Sequence, residues 1–398
     1  ITTFNSRIDE CKNNLNLSNN EIKSYKDENK NAVLDVTIPA YKKLISNLKK
    51  LKGTGTHDGG LCQYDGGKEF YEKYVQARTG SDMTIEEMAE KTNLQLESVY
   101  NKYIQEAVKI NSWDISTLTD PNEILTDLQD KIKGDFPTVD NINYQVKYLD
   151  ESLKDYASPA FYLIPPVDSE SENYIYINQS QVKDDTIYTT LAHEGYPGHL
   201  LQTNYFKNKD CHYIRSLLAT TGYVEGWATY VEHYSYKYAF DDEALANTYN
   251  YFDTFILTVY GYCDIYVNYY NYNANQLFDT LSNYELFSQD DMQAIYDYVV
   301  EAPGTYLNYY IGSLEIMEMK DFCENYYGDD FSLLDFNTFI LDIGPAPFTT
   351  IKSRLTEYYN ISIDDLDNYN LYDSDSPDQS ETSSDTSLWD ILSDALFK

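Results

Sequence analysis

Two of the five histidines in this 398-residue sequence fall in one short run, Leu191-Ala-His193-Glu194-Gly-Tyr-Pro197-Gly198-His199. A helical His followed directly by Glu, with a second His further on, is how a hydrolase builds a zinc centre. The imidazoles hold the metal, and the Glu beside the first removes a proton from the water that the metal activates. In the common form the histidines stand at i and i+4 on one helix face. Here i+4 is Pro197 and the second His is at i+6. At about 100° per residue that position lies roughly 240° around an unbroken helix, on the wrong side. Both rings reach one ion only if the helix deforms between them. Pro197 removes a backbone donor and disfavours helix before it, and Gly198 tolerates unusual dihedrals. The spacing therefore predicts a kink or widened turn at Tyr196–Gly198. The alternative is a packing His193 in a core helix with His199 incidental.

A third ligand needs another element. Residues 213–238 read as one helix containing Tyr223-Val-Glu225-Gly226-Trp227-Ala228-Thr-Tyr230-Val-Glu232-His233. Glu225, Ala228, Thr229 and Glu232 share a face by i+3, i+4 and i+7 spacing. Two carboxylates on an otherwise apolar face are costly without a cation or hydrogen-bond partners, although a solvated face would need neither. Glu225 lies 225 − 199 = 26 positions beyond His199, enough for an antiparallel helix to bring it back. Glu232 could orient a ligand from behind. His212 reads as a surface residue, as does His233, whose alternative beside Glu232 is to support a ligand from behind, and His57 reads as part of an exposed Gly-rich turn.

The surrounding pattern is mainly helical. Thr84 with Glu87 has capping-box spacing, and Asp120-Pro121 starts a helix with Pro at its first position. Between residues 143 and 178 the period changes to that of three short strands, around Tyr144–Tyr148, Ala160–Ile164 and Tyr174–Ile177. The expected organisation is a helical segment at 1–60, a catalytic domain at 61–360 and an acidic Ser-rich tail at 361–398. Within that tail, 373–387 reads as a solvated linker and Trp389–Phe397 as a short amphipathic segment.

Composition narrows the function. With 29 Lys+Arg against 65 Asp+Glu the net charge is −36, which excludes a nucleic-acid partner and argues against an anionic membrane surface. The 42 tyrosines help lift the hydrophobic share to 42%, so a core can form where a disordered acidic chain would be poor in aromatics. Five scattered cysteines without CxxC spacing read as buried thiols rather than as a disulfide framework. The chain opens at Ile1 with no initiator Met and no signal-type apolar stretch, as expected if a leader was removed or lies outside it.

His193–Gln202 (HEGYPGHLLQ) and Gly222–Glu232 (GYVEGWATYVE) together resemble the bacterial domain-of-unknown-function 885 family, a member of the zincin-like metallopeptidase group. The second segment is also similar to the third-ligand helix of gluzincin aminopeptidases. Gly66–Tyr71, Ser158–Tyr162, Asn178, Pro303–Gly312 and Ile343–Pro347 extend the resemblance. It implies an α+β, zincin-like helical fold with a small sheet beside the active-site helix, and one zinc ion per chain on His193, His199 and Glu225. It implies Glu194 as general base and Tyr309, in the segment Pro303–Gly312, as an oxyanion donor. Ser158, Ala160, Tyr162 and Asn178 would line a peptide, the strand at 160–164 offering its backbone edge. Two positions depart from the family pattern: Leu200 follows the motif where a further His is common, and Asn337 stands where another often lies.

The leading expectation is a zinc-dependent peptidase acting on short peptides, at the surface of a bacterium or outside it, with a lipid or cell-wall anchor outside this sequence. The competing readings are a non-catalytic surface binding protein with a structural metal, and a metal-dependent amidase of cell-wall peptides.

Overall fold

The computed structural model of the chain describes residues 1–110, 112–113, 117–166, 173–212, 214–217, 220–369 and 371–372. It is mainly helical with one small sheet, as expected. The linker and amphipathic segment expected after 373 lie outside the described residues. The chain forms two compact units, one of residues 1–58 with 150–152, the other of residues 59–149 with 153–398. The first unit consists mostly of helices Thr2–Glu10, Asn19–Ala32 and Ile38–Leu51. No helix among the described residues is long and apolar enough to cross a membrane.

In the second unit the principal elements run α1 (Gly67–Thr79), α2 (Ile85–Ala107), α3 (Pro121–Lys131), β1 (Tyr144–Tyr148), β2 (Ala160–Leu163) and β3 (Asn173–Ile177). There follow α4 (Ile187–Glu194), α5 (His199–Lys207), α6 (Thr221–Tyr234), α7 (Glu243–Asn268), α8 (Gln289–Glu301), α9 (Thr305–Tyr327), α10 (Leu333–Ile343) and α11 (Phe348–Tyr359). The predicted helix starts are present. Thr84 and Glu87 form a reciprocal capping box on α2, and Asp120 accepts from the Asn122 and Glu123 amides ahead of Pro121. Such caps satisfy amides that a helix start leaves unpaired, each contributing about 1 kcal/mol.

The three predicted strands form one sheet in the order β1-β3-β2, β1 parallel and β2 antiparallel to β3. β2 is consequently an open edge. One apolar cluster joins the sheet to α3, α4, α6, α10 and α11 through residues such as Ile175, Leu125, Leu191, Trp227 and Phe336. A second gathers α1, α2, α7, α8 and α9 around Tyr71, Val99, Phe255, Val299 and Leu307.

Much of the tyrosine excess is packing with a polar tip, an apolar ring inside and a hydroxyl that finds an acceptor. The Tyr71 hydroxyl donates to Asp264 on α7 at 2.5 Å, and the same carboxyl accepts from the Gly304 amide at 2.6 Å. Burial holds the Asp264 acid up at about 7. This contact pins the start of α9, the helix that carries Tyr309.

Three expectations change. Residues 213–238 are not one helix; the described part breaks into Ile214–Leu217, α6 and Tyr236–Ala239. The first part of the tail is packed, since Leu366 of the helix Ile363–Asp367 joins the first core and Tyr372 the second. Of the five cysteines, all free, only Cys263 and Cys323 are buried; Cys11, Cys62 and Cys211 are partly exposed.

Candidate functional site

The run 193–199 does not kink a helix; it ends one and begins another. α4 stops at Glu194 and α5 starts at His199, with a cis Tyr196–Pro197 peptide between them. The Gly198 amide donates to the Ala192 carbonyl at 2.9 Å, and the Trp227 indole N–H on α6 donates to the Pro197 carbonyl at 3.0 Å. A side chain at 198 is excluded, because its Cβ would sit 1.9 Å from the His193 carbonyl oxygen. The outcome is the one the i+6 spacing requires: the two imidazoles meet edge to face with centroids 4.8 Å apart.

Glu225 on α6 completes the cluster. Its Oε2 lies 3.8 Å from His193 Nε2 and 3.4 Å from His199 Nε2. Ligand atoms of these three residues all fall within 4.8 Å of one another, the one such group among the described residues. Each ring is oriented from behind. Glu232 Oε2 stands 2.9 Å from His193 Nδ1; a carboxylate only accepts, so Nδ1 donates and Nε2 is the nitrogen turned to the site. His199 Nδ1 lies 3.4 Å from Gln202 Oε1, whose amide N–H donates to the Tyr223 carbonyl at 3.4 Å. Burial resists charge on His193, yet Glu232, Glu225 and Glu194 together hold its pKa well above the usual range. Burial likewise opposes the Glu225 charge, but hydrogen bonds from both imidazoles push it far below the usual carboxylate value. Three polar groups thus crowd a half-buried spot where a cation would replace protons as their partner.

Glu194 is outside this cluster of ligand atoms. Its Oε2 accepts from the Tyr162 amide on β2 at 2.7 Å. Residues along an antiparallel strand alternate between its two edges, so this bond sets Ala160 and Tyr162 on the open edge, facing the site. A cavity of about 410 Å³ is bounded by Ser158, Ala160, Phe161, Tyr162, Glu194 and the three clustered residues, among others. Tyr309 also lines it, its ring 6.3 Å from that of His193, and burial with the nearby charges of Glu225 and Glu194 pushes its hydroxyl pKa well up. It is therefore a protonated donor at neutral pH.

Of the residues that the sequence assigns to the metal, the chemistry or the peptide, only Asn178 is not brought to the cavity. It is 1% exposed and clamps a loop, donating to the Lys154 and Ala157 carbonyls. His233 is a correction: it is buried rather than at the surface. The two departures from the family pattern are accommodated in packing. Leu200 belongs to the apolar core, and Asn337 accepts from the Tyr230 hydroxyl and donates to the Asp135 carbonyl. Sequence reasoning missed the orienting roles of Trp227 and Gln202. The only signal for Gln202 was its place three residues after His199, on the same turn of helix. Thr190 and Val224, which also line the cavity, gave no signal.

A family model described as "Bacterial protein of unknown function (DUF885)" matches residues 3–355, and the chain belongs to that family. Its fold is similar to that of a lipoprotein candidate from Colwellia psychrerythraea, with TM-score 0.76 and 17% identity over 90% of this chain and 66% of that one. It is also similar to a lipoprotein candidate of unknown function from Shewanella oneidensis, with TM-score 0.59 and 16% identity over 85% of this chain and 67% of that one. The chain thus spans about two thirds of the length of each. No curated protein matches it in sequence.

Proposed function

We propose that this member of the DUF885 family is a zinc-dependent peptidase. The observation that carries the reading is the convergence of His193, His199 and Glu225, with Glu194 beside them but not among them. Three protein ligands with one position left open is the donor set of a catalytic zinc rather than of a closed structural one. Two neutral imidazole nitrogens and a carboxylate suit that metal. When bound, zinc supplies Lewis acidity and acidifies a nearby water.

The chain's own residues do the rest. Glu194 takes the proton of the attacking water, held in line by the Tyr162 amide. Tyr309 donates a hydrogen bond to the oxygen that gains charge. With the Tyr162 amide committed to Glu194, the Ala160 amide and the Ala160 and Tyr162 carbonyls are the groups of that edge that hold an extended peptide as an added strand. A cavity of about 410 Å³ suits a short peptide segment. The two solved structures named above are of lipoprotein candidates, which supports a place at the bacterial surface.

The purified chain is expected to contain one zinc by elemental assay and to cleave members of an unbiased peptide library. 1,10-Phenanthroline should stop cleavage and added zinc restore it. A chain without zinc, or cleavage indifferent to the chelator, would overturn the reading. Glu232→Gln keeps a side chain of equal size but weakens the bond that orients His193. Zinc affinity should drop by about 10–100-fold, the range for such supporting partners. Competition against a fluorescent chelator measures it, and an unchanged affinity would remove Glu232 from the site.

A further inference from the structure

A second cavity, of about 280 Å³, adjoins the first and shares His193, Glu232 and Tyr309 with it. Its polar lining is rich in acceptors and holds neither Lys nor Arg. Glu232 and Asp253 bring two carboxyl groups, of which Asp253 accepts from the Tyr236 hydroxyl and is raised by burial to about 7. Thr229 is 3% exposed, and its hydroxyl has no hydrogen-bond partner. The Thr254 hydroxyl donates to the Asn250 carbonyl at 2.8 Å, so towards His233, at 3.3 Å, it can only accept. His233 Nδ1 is therefore the protonated nitrogen and Nε2 carries a free lone pair. Burial lowers the His233 pKa to about 4 and keeps the ring neutral.

Part of the lining is aromatic. The Tyr260 and Tyr306 rings lie 4.2 Å apart and Tyr306 lies 6.0 Å from Tyr309, all three on this cavity. Aromatic rings and carboxyl groups lining one cavity suit an organic cation, which the ring quadrupole and the acids both attract. A second metal fits less well, because among the described residues only His193, His199 and Glu225 bring their ligand atoms within reach of one ion. An ammonium group donates up to three hydrogen bonds and accepts none. It answers both the acceptor excess and the unpaired Thr229 hydroxyl.

We propose that this cavity is a subsite for a primary ammonium group of the substrate, the α-ammonium of a peptide N terminus or the ε-ammonium of a lysine. Its place in catalysis rests on the peptidase reading; ammonium binding itself does not.

The binding test uses zinc-loaded full-length protein, with n-butylamine hydrochloride and n-butanol as probes, read by saturation-transfer NMR. Butylammonium should bind at least about tenfold more tightly than butanol. Asp253→Asn should weaken it by about tenfold. Thr229→Val, which replaces an unpaired hydroxyl with a methyl of equal size, should weaken it while raising Tm, and it remains informative if the Asp253 variant does not fold. Equal binding of the two probes, or variants that bind butylammonium like wild type, overturns the proposal.

Peptide kinetics then separate the two sources. A preference in kcat/KM for Ala-Ala-Phe-Ala over its N-acetylated form assigns the α-ammonium. A preference for acetyl-Lys-Ala-Phe-Ala over its norleucine counterpart assigns lysine, and cleavage that ignores both charges overturns the proposal. If no peptide is cleaved the peptidase reading fails, while the butylammonium result still decides this one.

Discussion

Glu194→Gln is expected to leave one zinc per chain and to lower kcat by about 1,000-fold, inside the 10²–10⁴ range that a positioned base contributes. The substitution is unusually clean here. Glutamine has the same length, and its amide oxygen can accept the Tyr162 N–H as the carboxylate does at 2.7 Å, so the geometry against β2 survives. What disappears is the basic oxygen. Because Glu194 is outside the cluster of His193, His199 and Glu225, zinc content should not change. Elemental assay and single-turnover kinetics on the best library peptide give the two readouts. Turnover at the wild-type rate would sink the mechanism, and loss of zinc together with activity would make Glu194 a ligand instead of a base.

The parts of this site legible in sequence were those where local rules suffice. The i+6 spacing could be converted into a demand for deformation because helix geometry is fixed, and Pro197-Gly198 named the place. It could not say that α4 would end outright. A break and a kink both satisfy the spacing, and the choice depends on contacts from afar, the Trp227 indole reaching the Pro197 carbonyl from 30 positions away. The strands were legible from their period and short apolar runs, whereas β2's backbone edge was an expectation that came with the family resemblance, and its place in the order β1-β3-β2 is set by pairing across the sheet.

His233 was misjudged for the same kind of reason. Locally it is a polar residue beside a glutamate; its burial comes from Thr254 of α7, 21 positions on. Asn178 stood in a suggestive place after the third strand, yet its amide is committed to two loop carbonyls. The second cavity gave no local signal, because Glu232, Asp253 and Tyr306 meet there from α6, α7 and α9.

The site's dependence on such long-range packing leads to the second large effect, Gly312→Ala. Helices α6 and α9 cross where Gly222 and Gly226 face Gly312. A Cβ at 312 would stand 2.1 Å from the Gly222 carbonyl oxygen and 2.9 Å from Gly226 Cα. Neither helix has a flexible side chain there to give way; the obstacles are backbone atoms, so the axes must part. Overpacking of this kind costs typically 1–3 kcal/mol, and about 3 kcal/mol or more is expected where backbone must move. The consequence reaches the chemistry, because α6 carries Glu225 and α9 carries Tyr309, three residues before Gly312. A shift of about 1 Å in groups that must converge can cost about 100-fold in rate. Gly312→Ala should therefore lower Tm, zinc affinity and kcat together. Ser313→Ala, one position on, removes only a hydroxyl that donates to the Tyr310 carbonyl, and should cost about 1 kcal/mol without touching zinc. Urea unfolding and zinc competition on both variants check the argument. It fails if Gly312→Ala is no more destabilising than its neighbour and holds zinc as tightly as wild type, for then the close crossing of α6 and α9 would not be what sets Glu225 against the histidines.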